Sequence, residues 1–345
     1  MWNSDRRSVA PEGGAITHRR ARWLTQLFGP AVLAYFLFTT DLHRIAANLR
    51  DVRWPPLVLS LVLFAGLVIT KSWRWRELLK ELGFATPTLR EACTLFMIGQ
   101  FAGGATPGQT GDFVRAWYLR ERGAPLSAAL FSILIDRLLD FFILAILSLF
   151  GLVAFLDIFP AAARPAILLV TIGFAIVVAV TVPALIARGP RRWLMTRLRG
   201  IAPASVGERL ERWQGLLDAL EGRPGLVVAL LVSTVAATTV VMVRIWLLYR
   251  AMDVVIPVGL LVSASALISI LQTLPVSVAG VGVRDAVLIA VLTHHGYSAE
   301  RALALSALFL VLTVEQMLIG FFVSMKHPLG AERASLADAA REGRP

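Results

Sequence analysis

Six stretches of this chain are apolar over about the length a helix needs to cross a bilayer, roughly 20 residues at ~1.5 Å each. They lie at about 24 to 41, 55 to 73, 129 to 155, 164 to 187, 225 to 247 and 302 to 325. A water-soluble domain has no means of covering that much apolar surface, so the runs predict an all-α polytopic membrane protein. The composition agrees: 57% of the 345 residues are hydrophobic, 17% are charged, and the mean hydropathy is +0.70. A formal charge of +11 in such a chain fits loops that face anionic head groups and does not call for nucleic acid. The single cysteine, Cys93, rules out an intrachain disulfide or a cysteine-based metal site and reads as a small buried hydrophobe.

Two further apolar stretches are too short to span. Residues 92 to 106 break at Gly103-Gly104 and Pro107-Gly108, and residues 258 to 274 break at Pro275, Gly280 and Gly282. Each is followed by a short arm and another glycine, Gly123 or Gly296, so both are expected to be re-entrant or broken helical hairpins. Lysine and arginine set the orientation. Five precede residue 24 (Arg6, Arg7, Arg19, Arg20, Arg22) against three in the loop 42 to 54, and eight lie in 188 to 224. The segment 1 to 23 and the tail 326 to 345 are therefore expected in the cytoplasm, with a bacterial-type inner membrane as the host. Residues 1 to 23 lack an apolar core followed by a cleavage site, so no removable signal peptide is expected.

The hairpins divide the span region, 24 to 325, into two similar halves, about 24 to 155 and 164 to 325. Asp112 to Gly123 and Asp285 to Gly296 are the same interval, and Trp75 to Pro87 nearly matches Trp246 to Pro257. Each half reads span, span, hairpin, span. One half starts inside and the other outside, which predicts inverted repeats with a site at their interface. Between the halves, 188 to 224 includes an amphipathic stretch with Leu210, Trp213, Leu217 and Leu220 on one face, expected to lie on the cytoplasmic surface.

Ionisable residues inside this apolar frame are the candidate site. Asp112 and Arg115 follow the first break three residues apart, Asp136, Arg137 and Asp140 sit inside the third long span, and Arg284 and Asp285 follow the second break. Glu315 lies in the last span. An ionised group at the bilayer centre costs about 2.5 to 3.5 kcal/mol on insertion scales and so faces a cavity, a partner or a substrate. Two roles stand for the aspartates, neutralising the arginines or contacting substrate. For the arginines, bidentate contact with a phosphate is favoured. The helix expected to restart after Gly111, and its counterpart after Gly282, would direct amide N–H groups and a positive dipole end at such an anion.

"GGATPGQT" at 103 to 110 imitates a nucleotide P-loop, but Gln109 stands where the lysine should be and an apolar helical run precedes it. "KSWRWRELLK" places Trp73 and Trp75 among Arg74, Arg76 and Lys80, the pattern of an interfacial anchor. His294-His295 point apart on a helix with no third ligand near in sequence, so no metal is expected, and no motif calls for a cofactor.

The set Pro107-x-x-x-Gly111-Asp112-x-x-Arg115, Gly123 with Ser127, Asp136-Arg137-x-x-Asp140, and Pro275 with Gly280-x-Gly282-x-Arg284-Asp285 resembles the flippase-like family that includes the transmembrane region of lysylphosphatidylglycerol synthases. The resemblance covers about residues 24 to 325 and implies movement of a lipid between leaflets rather than an enzymatic reaction. In that family the module also occurs fused to a cytoplasmic aminoacyl-transferase domain, and only about 20 residues follow position 325 here, so lysyl transfer is not expected. The family commonly has glutamate where Asp112, Asp136 and Asp285 stand. Two functions remain open: a transporter of a phospholipid or other phosphate-bearing lipid, and a non-transporting subunit that presents lipid to a separately encoded transferase.

Overall fold

The computed structural model describes residues 52–83, 86–104, 106–186, 223–273 and 283–327, with isolated residues between 189 and 218. The expected first span, the amphipathic stretch and both termini lie outside the described residues, as do Pro275, Gly280 and Gly282.

All the regular structure described is helical. The first repeat contributes α1 (Trp54–Glu81), α2 (Leu89–Gly104), a 3-10 turn (Pro107–Val114), α3 (Arg115–Glu121) and α4 (Leu126–Phe155). After a short 3-10 turn (Leu156–Ile158) come α5 (Arg164–Ile186), α6 (Pro224–Ala251), α7 (Val258–Thr273), α8 (Val283–His294) and α9 (Ala299–Lys326). Among the described residues, four helices, α1, α5, α6 and α9, are long and apolar enough to cross a membrane. The 30-residue α4 has the length but carries Asp136, Arg137 and Asp140 in its first half.

Among the described residues, helices of the two halves correspond. Helices α1 and α6 each have 28 residues, and α2 and α7 each have 16. Two residues beyond α1 and α6 the chain turns left-handed, at Gly83 (φ 76°) and Asp253 (φ 54°), and it does so again before α4 and α9, at Gly123 (φ 89°) and Gly296 (φ 80°). Only Asp253 bears a side chain there, and Arg53 holds it with a 3.1 Å ion pair.

Contacts fix the directions. The Arg53 amide donates to the Ala251 carbonyl at 2.9 Å, at the start of α1 and the end of α6. Farther along, Arg74 meets Thr234, so α1 and α6 run antiparallel. Trp75 and Leu79 of α1 cluster with Ala92 and Leu95 of α2, Ala116 and Leu119 of α3, and Ala129 and Ile133 of α4. The first hairpin therefore returns to the face it left. Likewise Tyr249 of α6, Leu261 of α7, Leu292 of α8 and Leu305 of α9 share one core at the opposite face. The repeats are inverted, and α2 packs on α9 as α7 packs on α4.

Two details correct the sequence expectations. The chain resumes as a 3-10 turn at Pro107 rather than as a helix after Gly111, and the Gly111 amide is taken by the Thr106 hydroxyl at 2.6 Å. Gly111 is required for close approach: a Cβ there would run into the Ala102 carbonyl group. The supposed interfacial anchor is interior in part. Arg74 and Trp75 are fully buried, with the Trp75 indole donating to Ser132 at 3.2 Å, while Trp73 is exposed. Helix α1 continues past residue 73, and its inward stripe, Leu67, Arg74, Trp75, Leu78 and Leu79, continues with it.

Close packing of α2 on α9 gives a stability test. A Cβ on Gly320 would lie 2.6 Å from the Phe101 Cβ and 2.5 Å from the Met97 carbonyl oxygen, whereas Gly173 has nothing within 4 Å. Gly320→Ala is expected to cost about 1–3 kcal/mol through overpacking, and Gly173→Ala to leave stability unchanged or raised. Thermal unfolding of the two purified variants in detergent checks this, and equal melting temperatures would refute the tight α2–α9 seam.

Candidate functional site

Between the hairpins and the long helices lies a cavity of about 300 Å³. Its charged wall is Lys71 of α1, Asp112 of the 3-10 turn, and Asp136, Arg137 and Asp140 of α4, with Arg244 of α6 and Arg284 of α8 farther round. Five of the residues singled out in the sequence, Asp112, Asp136, Arg137, Asp140 and Arg284, thus share one space. Arg115 and Asp285 stand behind the wall rather than on it.

Asp112, Asp136 and Asp140 are each gripped by two cations. Asp112 accepts from Arg115 at 2.6 Å and from Arg137 at 2.8 Å. Asp136 meets Arg74 at 2.6 Å and Arg115 at 3.6 Å, and Asp140 meets Lys71 at 2.7 Å and Arg74 at 2.8 Å. Arg115 therefore ties the broken hairpin to α4, and its guanidinium carbon sits 4.9 Å from the centre of the Trp75 ring. Arg74 ties α1 to α4 and, through Thr234 at 2.9 Å, to α6. Buried charges persist only in such multiply bonded arrangements, because the loss of water must be offset on every side.

The second repeat has a sparser version. Arg244 pairs with Glu315 of α9, donates to the Ser60 carbonyl at 2.8 Å, and lies 5.1 Å from the Phe64 ring centre. Arg74 and Arg244 are each the twenty-first residue of a 28-residue helix, and their cross-repeat contacts, Thr234 and Phe64, are each the eleventh. Sequence reasoning missed Lys71, Arg74 and Arg244 as site residues. The signal was present in an arginine inside each of two apolar runs, about twenty residues after the prolines at their starts.

Arg284 lines the cavity and is 1% exposed, yet its Nη2 has no hydrogen-bond partner among the described residues; Nη1 of Arg115, behind the wall, is likewise buried without one. Its Nε donates to Ser306 at 2.8 Å, Ser306 in turn bonds Asp285, and the guanidinium carbon lies 5.7 Å from the Phe309 ring centre. The Nε arm is anchored, and the residue lines the cavity. Counting the groups on and directly behind the wall, six cations (Lys71, Arg74, Arg115, Arg137, Arg244, Arg284) stand against five carboxylates (Asp112, Asp136, Asp140, Asp285, Glu315). The excess is one positive charge among the described residues. Gly282 lies outside those residues, Gly111 has its amide occupied, and Pro107 and Gly108 open the 3-10 turn that presents Asp112.

Residues 26–320 match the family described as the lysylphosphatidylglycerol synthase TM region. The chain belongs to that family. Membership accounts for the multi-pass helical architecture and brings with it a role connected with membrane lipid. The chain is also 26% identical over 275 residues to a UPF0104 membrane protein of Methanothermobacter thermautotrophicus, across 72% of this chain and 77% of that protein. No solved structure matches it.

Proposed function

We propose that this family member is a lipid transporter that carries an anionic, phosphate-bearing lipid between leaflets, with the head group in the cavity and the acyl chains outside it in the bilayer. The observation that carries this reading is the buried Arg284, whose Nη2 has no partner among the described residues, on the wall of a cavity where the described charges leave one positive in surplus. A buried guanidinium with an unengaged N–H is costly unless an anion completes it, and phosphate oxygens suit its planar fork. Inverted repeats around the cavity supply a means of exposing it to either face in turn. The face with the end of α1 carries Arg76, Lys80, Arg90, Arg120, Arg122 and Lys326. On that ground it is assigned to the cytoplasm of an inner-membrane-type bilayer, together with both termini.

Purified protein reconstituted into vesicles with a fluorescent phosphatidylglycerol analogue is the test. Protein-dependent loss of leaflet asymmetry is expected, measured by quenching from outside. An unchanged leaflet distribution, with lipid still bound to the protein, would replace the transporter by a subunit that presents lipid to a separate transferase.

A further inference from the structure

The buried carboxylates differ in how many cations hold them. Asp112, Asp136 and Asp140 each meet two at 3.6 Å or less. Glu315, 13% exposed, meets Arg244 and no other cation among the described residues. Four cations line the cavity, and an entering anion can draw on any of them. If it takes Arg137, Asp112 keeps Arg115; if it takes Lys71, Asp140 keeps Arg74. An anion on Arg284 leaves Asp285 its bond from Ser306. At Arg244 alone does the exchange strip a carboxylate of the last cation it has among the described residues.

Arg244 is placed for that exchange. It lines the cavity and Glu315 does not, although Leu312, Thr313 and Gln316 of the same helix do. Its Nε holds the Ser60 carbonyl at 2.8 Å and its guanidinium carbon lies 5.1 Å from the Phe64 ring centre, so the residue stays fixed to α1 while the Glu315 contact opens. Its equivalent, Arg74, is clamped between Asp136 and Asp140. A carboxylate shut away from water without a cation is neutralised by a proton, because keeping the charge costs more.

No second charge stands ready to replace Arg244. The helices packed on α9 are α2, α8 and α6. From Leu95 onward α2 has no titratable group, its Arg90, Glu91 and Cys93 lying near its start. Helix α8 brings Arg284 and Asp285, both bonded to Ser306, and His294 at its far end. Besides Arg244, α6 brings Tyr249 and Arg250, both nearer its end. Between Arg301 and Lys326, Glu315 is the single titratable residue of α9 itself.

Resting on the transporter reading above, we propose that Glu315 is a proton-coupling site: the lipid phosphate displaces it from Arg244, Glu315 takes one proton from water, and it returns the proton when the lipid leaves and the ion pair re-forms. One proton thus accompanies one monoanionic lipid. The added charges cancel, so the cavity carries the same surplus loaded and empty, and a proton gradient becomes a source of work for lipid movement.

The experiment measures equilibrium binding of a fluorescent phosphatidylglycerol analogue to the purified full chain in detergent, from about pH 6 to about pH 9. The phosphodiester keeps one negative charge throughout, so any slope belongs to the protein. Uptake of one proton on binding weakens the wild-type affinity by about ten-fold for each unit of rising pH. Glu315→Gln is expected to bind with no pH dependence. So is the Glu315→Gln/Arg244→Gln double variant, which leaves no charge buried alone and serves if the single variant does not fold. A slope carried by His294, His295 or His327 would survive in both variants. A pH-independent wild type, or a slope retained in either variant, would overturn the coupling and leave the anionic-lipid reading intact. Failure of the lipid to bind at any pH would overturn both.

Discussion

Arg284→Gln is expected to lower affinity for an anionic lipid by ten- to a hundred-fold while the purified protein keeps its fold. A hydrogen bond to a charged group contributes about 1.5–3 kcal/mol, and one factor of ten in affinity is about 1.4 kcal/mol. Losing the Nη2 contact alone therefore spans that range. The substitution should be well tolerated, because Arg284 is not the sole support of a buried carboxylate: Asp285 keeps its bond from Ser306. Lipid binding by native mass spectrometry and thermal unfolding in detergent separate the two effects. An unaltered affinity would remove Arg284 from the site and, with it, the observation on which the proposed function stands.

The second large effect is structural. Arg74→Ala strips Asp136 of its closest cation and Asp140 of one of its two, in a position where Arg74 itself is fully buried. Breaking a buried pair from one side costs about 3–5 kcal/mol, because the carboxylate left behind is neither solvated nor neutralised. By the scaling for domains of ordinary size, that lowers the melting temperature on the order of ten degrees. Adding Asp136→Asn and Asp140→Asn to Arg74→Ala should recover part of the loss, since the orphaned charges are then gone. Wild-type stability in the single variant would mean that the three residues do not form the junction described. Arg115→Ala is expected to behave in the same way, through Asp112 and Asp136, and so reports on folding before it reports on substrate.

Much of the architecture was legible because lipid imposes length and polarity rules on each segment separately. The runs at 164 to 187 and 302 to 325 appear as Arg164–Ile186 and Ala299–Lys326. The glycines at 123 and 296 mark the left-handed turns that close the two hairpins. What the rules could not see was depth. Arg74 beside two tryptophans has the same local sequence whether its helix stops at the head groups or runs on into a core. Only the helix's extension to Glu81 and the aspartates of α4 decide between them. The charged wall was legible in part, since Asp136, Arg137 and Asp140 are conspicuous inside an apolar run.

The equivalence of Arg74 and Arg244 carries one last consequence. Their helices match in length and in the register of the arginine, yet one guanidinium binds two carboxylates and the other binds one. Parting the helices around Arg74 must therefore take more work than parting those around Arg244. A backbone that looks alike from either face, carrying charge that does not, has a preferred resting posture written into its side chains.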